Sequence, residues 1–246
     1  MKKRSREEIE IRNVLSEVLV LSLQYSERSG LLYLIFYYCQ SVDTKGRKRI
    51  KLRDLAKSKE DINWLRFSWK EVSDELGLLS IFEIDSEDYV QLKPRFQRHF
   101  PGICGKVGKY WGFISSLYSG EEEFSKEIQG DVKKGILLFN EGFYFECHEF
   151  LEGVWKGVKG KEKTFLKGLI HAAVAFYHLE YENLRGAITY LNRSHLRLKG
   201  FAPAFLGVDI KTFIDQIEIY LRLLETLDSS DTQPIKSAVP KIRFIE

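Results

Sequence analysis

The sequence predicts a mainly α-helical protein in which an all-helical bundle follows an N-terminal α+β unit. From residue 131 onward, apolar residues recur at helical spacing almost without interruption, whereas the first half also contains two short strand-like segments. Lys and Arg outnumber Asp and Glu by 21 to 16 over residues 1–118, but the counts are 17 and 19 over residues 119–246. This change of charge balance predicts two domains, 1–118 and 131–246, joined by a polar linker at 119–130.

Composition narrows the class of protein. An apolar content of 44% with 30% charged residues is typical of a globular protein that buries a substantial core. The most apolar segment, residues 31–39, is about half as long as a membrane-spanning helix, so we expect no membrane insertion. Residues 101–118 contain four glycines in a pattern that matches no phosphate-binding loop, which argues against a nucleotide site.

The three cysteines, Cys39, Cys104 and Cys147, lie far apart in the sequence and form no CxxC pair. This spacing argues against a disulfide framework and against a cysteine-rich zinc site. We therefore expect a reducing, cytoplasmic location. Cys147 is predicted to be a small packing residue in the core.

The first half begins with two helical segments. Residues 7–27 show helical spacing, and Ser29-Gly30 separates them from a second apolar segment that ends near Gln40. A turn with six basic residues follows: Lys45, Arg47, Lys48, Arg49, Lys51 and Arg53. Residues 67–78 again have helical spacing, and the segments SIFEI and YVQLK, separated by Asp-Ser-Glu-Asp, predict a β-hairpin.

This order of helices, basic turn and β-hairpin resembles a winged helix-turn-helix. The resemblance implies that the helix at 67–78 enters the major groove of DNA and that basic residues at 45–53 contact phosphates. The charged residues in and beside that helix are two cations and three anions: Arg66, Lys70, Glu71, Asp74 and Glu75. Such a face is unfavourable for a polyanion. DNA binding through residues 45–78 and docking of a protein partner therefore both stay open.

The second half predicts five helices between residues 131 and 228. Turn-forming residues lie at the breaks: Gly160, Asn183 and Gly200. Asp209 is placed to cap the last helix, and two prolines make the tail irregular. Phe145 and Leu184, 39 positions apart, occupy the same place in successive hairpins, which resembles helical hairpins of the tetratricopeptide kind. Two copies are too few for a solenoid, so we predict a compact bundle.

The segment FNEGFYFECHEFLEGVW, residues 139–155, places four polar residues among aromatic ones. On a helix of 3.6 residues per turn, one stripe collects four side chains: His148, Leu151, Glu152 and Trp155. We expect this stripe to face the core, with Glu149 at its edge and Glu146 pointing away. A buried carboxylate needs a partner, and His148, one turn away, is the nearest candidate for Glu152.

The helix predicted at 164–179 is apolar nearly all round, which marks it as the central helix of the bundle. His171 and His178 lie on one face of it together with small residues, which would let the helix of His148 approach closely. The two histidines, His148 and Glu152 are therefore predicted to gather in one interior pocket.

Imidazole and carboxylate groups are the ligands of catalytic zinc and non-haem iron sites. We predict that His148, Glu152 and His178 bind a divalent metal such as zinc or manganese in a buried hydrolytic site, with Glu149 as the general base. His171 starts about 10.5 Å from His178 along the helix axis, so at most one of them belongs to a metal site. The alternative is a structural His–Glu network in a non-enzymatic adaptor that binds a protein or DNA partner.

Two further groups of residues receive structural predictions. Three aromatic residues are expected in the core: Phe145, Trp155 and Phe176. Four basic residues are expected to form a solvated helix end: Arg193, His195, Arg197 and Lys199.

The second half resembles the family known as domain of unknown function 309. The segments FNEGFYFECHEFLEGVW, FLKGLIHAAVAFYHLEYENLRGA and FLGVD carry the resemblance, within residues 131–225. It implies a small all-helical bundle and a metal-dependent hydrolase activity, which is itself inferred from the His/Glu pattern. It picks out ten positions: Asn140, Gly142, Glu146, His148, Glu149, Glu152, Trp155, His171, His178 and Asn183. Gln is usual in the family where this chain has His171, which favours His178 as the ligand.

Overall fold

The structure, a computed structural model, describes residues 4–45, 48–56, 65, 68–119, 124–125, 127–226 and 239–245. The chain divides into two compact units, one within Arg4–Glu123 and one within Phe124–Glu246. Both units are mainly helical, and the predicted all-helical character of the C-terminal bundle agrees with this architecture. Among the described residues, no helix is long and apolar enough to cross a bilayer.

The N-terminal unit combines helices with a small sheet. Its α-helices within the described ranges are α1 (Arg6–Gln24), α2 (Ser29–Lys45), α3 (Leu52–Ala56), α4 (Trp69–Leu78) and α5 (Phe100–Ser119). Its strands are β1 (Ile50–Lys51), β2 (Phe82–Ile84) and β3 (Tyr89–Leu92), which pair antiparallel in the order β1-β3-β2. The predicted β-hairpin is confirmed, because Phe82 pairs with Leu92 and Ile84 with Val90.

Helix α5 occupies the glycine-containing segment 101–118, for which the sequence pattern argues against a nucleotide loop but predicts no secondary structure. Its glycines lower helix propensity, but its apolar residues recur every three or four positions. The side chains of this stripe are buried: Ile103, Val107, Tyr110 and Ile114. Burial of one continuous face therefore outweighs the weak propensity of the glycines.

A disulfide joins Cys39 of α2 to Cys104 of α5, with the two Cα atoms 5.3 Å apart. The prediction that the cysteines form no disulfide is wrong for this pair. No local motif signals it, because 65 residues separate the two cysteines and only the packing of α2 on α5 brings them together. Cys147 is free and buried, as predicted, and burial raises the pKa of its thiol.

The C-terminal unit is a series of helices, each packed on the one before it, with one short β-hairpin. Its described helices are α6 (Ile128–Asn140), α7 (Tyr144–Gly157), α8 (Gly160–Glu180), α9 (Leu184–Leu198) and α10 (Ile210–Glu225). Strands β4 (Ala204–Phe205) and β5 (Val208–Asp209) form a two-stranded hairpin before α10, which the sequence did not predict. Asp209 caps α10 as predicted, since its carboxylate accepts a hydrogen bond of 3.0 Å from the Thr212 N–H.

Helix α8 is the central helix of this unit, as predicted, and it packs most extensively on α9 and then on α7. The contact with α9 is close at Gly168, where an added Cβ would lie 2.7 Å from Leu198 Cγ. The Ser194 hydroxyl of α9 also donates a hydrogen bond of 2.8 Å to the Gly168 carbonyl. Gly168 therefore allows α9 to approach α8 closely. The sequence had instead predicted that the small residues of α8 allow a close approach by α7, the helix of His148.

Replacing Gly168 with Ala should lower the free energy of unfolding of the C-terminal unit by about 1–3 kcal/mol, because the new methyl group overlaps Leu198. The matched control is Gly157→Ala at the end of α7, where an added Cβ meets no atom within 4 Å. The control should change stability by less than about 1 kcal/mol. Denaturant titrations followed by circular dichroism measure both values, and equal losses would contradict the close α8–α9 contact.

Candidate functional site

The orientation of α7 decides which of the predicted site residues meet. Its buried face consists of Glu146, Cys147, Phe150 and Leu151. The predicted inward stripe is therefore wrong, because His148 and Glu152 lie on the other side of the helix and are only partly buried. Leu151 of the predicted stripe is buried and Trp155 is only half-buried, and Cys147, Phe150 and Leu151 form the apolar strip that packs.

Helix α6 fixes this orientation at Gly135. The Cys147 thiol donates a hydrogen bond of 3.2 Å to the Gly135 carbonyl, and a Cβ at Gly135 would lie 2.3 Å from a Leu151 methyl group. Glu146 shares this buried face and is 3% exposed, so the prediction that it points away is wrong. Gly135 is the residue from which this orientation could have been predicted. Because it has no side chain, Cys147 and Leu151 can approach the backbone of α6.

Three side chains on the outward side of α7 form a cluster of metal-ligating groups. His148 Nδ1 lies 3.0 Å from Glu149 Oε1, and His148 Nε2 lies 3.5 Å from Glu152 Oε2. One ligand atom from each of the three residues lies within 4.8 Å of the other two. The structure thus brings together the predicted pair His148 and Glu152 and adds Glu149 to it.

This cluster is not in a buried pocket, which corrects the predicted interior site. The side chains of His148, Glu149 and Glu152 are 25%, 44% and 33% exposed. The carboxylates consequently keep much of their hydration and need no buried counter-charge. All three side chains are therefore partly open to solvent.

His178 does not join this cluster. Its Nδ1 accepts a hydrogen bond of 2.9 Å from Asn183 Nδ2, because Asn183 Oδ1 already accepts from the Gly186 N–H. Its ring stacks on Tyr190, with ring centroids 5.4 Å apart. Burial lowers the pKa of His178, which favours a neutral imidazole. His178, which the sequence predicted to be a third metal ligand, therefore contacts Asn183 and Tyr190 instead of the cluster on α7.

His171 also faces α9 and is 6% exposed. Its ring meets the Tyr190 ring edge to face at 5.4 Å, and its Nδ1 has no hydrogen-bond partner among the described residues. Burial, together with the nearby cations Arg197 and Lys167, lowers the pKa of His171 to about 4. A neutral imidazole at this position is consistent with the Gln that the family resemblance leads us to expect there.

Trp155 and Phe145 are half-buried, so the prediction that they belong to the core is wrong, whereas Phe176 is buried as predicted. Two ammonium groups of α8 lie over the Trp155 ring, with Lys163 Nζ 4.3 Å and Lys167 Nζ 4.7 Å from its centroid. Both are cation–π contacts. The two lysines are four residues apart, which places them on one face of α8, but no feature of the sequence near Trp155 indicates this contact.

Acid should destabilise the protein through His171. Its pKa in the folded state, about 4, lies below the ordinary value of 6.5, so the unfolded chain binds more protons between these values. Stability attributable to the neutral ring is therefore present above pH 6.5 and is lost as pH falls toward 4. Relative to His171→Gln, the wild type should lose on the order of 2 kcal/mol between pH 7 and pH 4.5.

Urea titrations across this pH range measure the difference in unfolding free energy. The matched control is His195→Gln on α9. The His195 ring lies at the surface, with its Nε2 atom 2.9 Å from Glu218 Oε1. That variant should retain the acid sensitivity of the wild type. A His171→Gln variant that loses stability with acid as steeply as the wild type would contradict the assignment.

Comparison with known proteins gives two matches to this chain. Residues 132–190, which contain the cluster on α7, match the model of the family described as "Domain of unknown function (DUF309)". The chain is also 35% identical over 98 residues to "Uncharacterized protein YpuF" of Bacillus subtilis (strain 168). That alignment covers 38% of this chain and 56% of the relative. These matches support the resemblance of the C-terminal half to the DUF309 family, and neither description states an activity.

Proposed function

We propose that the C-terminal unit is a metal-dependent hydrolase whose divalent ion is bound by His148 and Glu152. The observation that carries the proposal is the distance of 3.5 Å between His148 Nε2 and Glu152 Oε2. Two ligand atoms of a tetrahedral zinc ion lie about 3.3 Å apart, since each bond is about 2.0 Å long. The pair therefore needs little movement to share one ion. One imidazole and one carboxylate suit zinc or manganese.

Glu149 has two roles in this proposal. One oxygen of its carboxylate lies 3.0 Å from His148 Nδ1, where a negative charge favours the tautomer that carries its proton on Nδ1 and leaves Nε2 free to bind metal. Glu149 is also the most exposed of the three residues, so it can accept a proton from a water molecule beside the ion.

The partial exposure of the cluster favours catalysis over a purely structural role. Two protein ligands leave the remaining coordination positions to water and substrate. A divalent ion there would lower the pKa of its bound water, and Glu149 would take up the released proton. His178, which hydrogen-bonds Asn183, has no part in the proposed site.

Metal-free protein should bind one zinc or manganese ion per chain in a calorimetric titration. His148→Ala and Glu152→Gln should each weaken binding by tenfold or more, because each removes one ligand atom. Glu149→Gln should weaken binding less than either ligand variant and, at a zinc concentration that saturates it, should lose hydrolysis of model phosphoesters and esters. His195→Ala, which removes a histidine from a comparable surface pair with Glu218, is the control and should bind normally. Absence of stoichiometric metal in the wild type would refute the site.

We also propose that the N-terminal unit acts as a separate winged-helix domain that docks a protein rather than DNA. The order α2-β1-α3-α4-β2-β3, with the sheet order β1-β3-β2, is the topology expected of a winged helix. In that fold α4 is the recognition helix. Its exposed residues include Glu71 and Asp74, and Glu75 forms an ion pair with Arg28. These charges favour a basic partner.

The basic residues of the turn at 45–53 are also less available for contacts with DNA phosphates than the composition of the turn predicts. Arg49 forms an ion pair of 2.9 Å with Asp85, and its guanidinium lies 4.1 Å from the Tyr89 ring centroid. Lys51 Nζ lies 5.0 Å from the same ring. Arg47 and Arg66, which the sequence offered as further DNA contacts, lie outside the described residues.

The full chain should give no salt-dependent mobility shift with a mixed-sequence DNA duplex, even at low ionic strength. The double variant Glu71→Lys with Asp74→Lys should gain non-specific binding, because it reverses the charge of the exposed face of α4. A wild-type shift that weakens steeply with added salt would establish DNA binding and overturn the docking proposal.

A further inference from the structure

Three helices of the C-terminal unit share a surface that the proposed metal site does not use. We call it the cationic face, and it consists of Trp155 on α7, Lys167 and His171 on α8, and Tyr190, Arg193 and Arg197 on α9. Contacts run continuously across it from one helix to the next. Lys167 lies over Trp155, His171 packs on Tyr190, and the Arg193 guanidinium lies 5.1 Å from the Tyr190 ring centroid.

The charge of the cationic face is not balanced by carboxylates. In the part of the chain that the structure describes, no acidic side chain forms an ion pair with Lys167, Arg193 or Arg197. Like charges gathered in this way repel one another, at a cost that an anion would remove. The aromatic rings hold two of the cations in place, which limits their freedom to move apart.

The cations come from two helices that pack closely, since a Cβ at Gly168 of α8, the residue after Lys167, would lie 3.5 Å from Arg197 Cβ of α9. All three act on the imidazole of His171 and lower its pKa. The Nδ1 atom of this buried ring also lacks a hydrogen-bond partner among the described residues. A buried polar atom without a partner is uncommon in native structures and often marks a place where a ligand or water binds.

We propose that the cationic face is a binding site for a small phosphate-bearing molecule, with Lys167, Arg193 and Arg197 as its charged donors. A phosphate monoester carries a charge of about −1.5 to −2 at pH 7, which suits three cations better than a single carboxylate would. Guanidinium groups bind phosphate oxygens in a bidentate manner. Convergence on one point fits a compact anion, whereas an extended nucleic acid would need cations in a row.

Binding at this site is coupled to protonation of His171. A bound phosphate offsets the field of the three cations, which favours the charged imidazole. The two effects are reciprocal. Bound phosphate raises the proton affinity of His171 by the same factor by which protonation of His171 raises the affinity of the site for phosphate. Protonation of His171 therefore strengthens binding of an anion of fixed charge, whereas acidification below about pH 6 also removes a negative charge from a phosphate monoester. Binding requires no metal, so it stands independently of the proposed hydrolase site.

The test is a titration of the metal-free full chain with inorganic phosphate and with pyrophosphate, in a buffer without other multivalent anions. Nuclear magnetic resonance of the five histidine rings reports binding, and His171→Gln assigns the His171 signal. The His171 signal should shift on addition of either anion, and its pKa should rise. Lys167→Gln and Arg197→Gln should each weaken binding by about tenfold or more.

Matched controls come from exposed cations on the same two helices that lie outside the cationic face, namely Lys161→Gln on α8 and Arg185→Gln on α9. These variants should bind phosphate and pyrophosphate like the wild type. Equal weakening in controls and test variants, or no perturbation of His171 by either anion, would overturn the proposal. A single-stranded oligonucleotide is the third arm. Oligonucleotide binding in the absence of pyrophosphate binding would identify a polyanion surface and also overturn the proposal.

Discussion

The packing of α7 on Gly135 of α6 is the constraint on which the candidate site depends. Cys147 hydrogen-bonds the Gly135 carbonyl, and Leu151 fills the space that a side chain at position 135 would take. These two contacts fix the rotation of α7 about its axis. Because they face inward, His148 and Glu152 must face outward. The half-exposed character of the proposed metal site therefore follows from the packing of apolar groups on the opposite side of the same helix.

Helix α8 packs on two helices that carry different groups. The acidic cluster around His148 lies on α7, whereas Gly168 and Ser194 draw α9 close to α8. His171 and His178 both turn toward Tyr190 of α9 and pack on its ring, and burial lowers the pKa of both imidazoles. Two histidines seven residues apart on a central helix thus serve the α8–α9 interface and not the metal site. A basic and aromatic surface is the result on that side.

Much of the architecture follows from hydrophobic periodicity alone. Helix α7 lies in the segment where helical spacing predicts a helix, α8 is the central helix, and the β-hairpin lies where alternation and turn residues place it. Helix rotation is harder to predict, because α7 carries apolar residues on both sides and a single large residue, Trp155, shifts the apparent apolar stripe. The partner glycine that decides between the two sides lies on another helix. The disulfide between Cys39 and Cys104 depends likewise on packing between distant segments.

The central claim is that one imidazole and one carboxylate of α7 hold a divalent ion in a position open to solvent. The X-ray absorption spectrum of the zinc-loaded protein tests this claim most directly, because it counts imidazole, oxygen and sulfur ligands. The account predicts a single imidazole with oxygen ligands, and loss of that imidazole contribution in His148→Ala. A spectrum with two or more imidazoles, or with sulfur, would contradict the account.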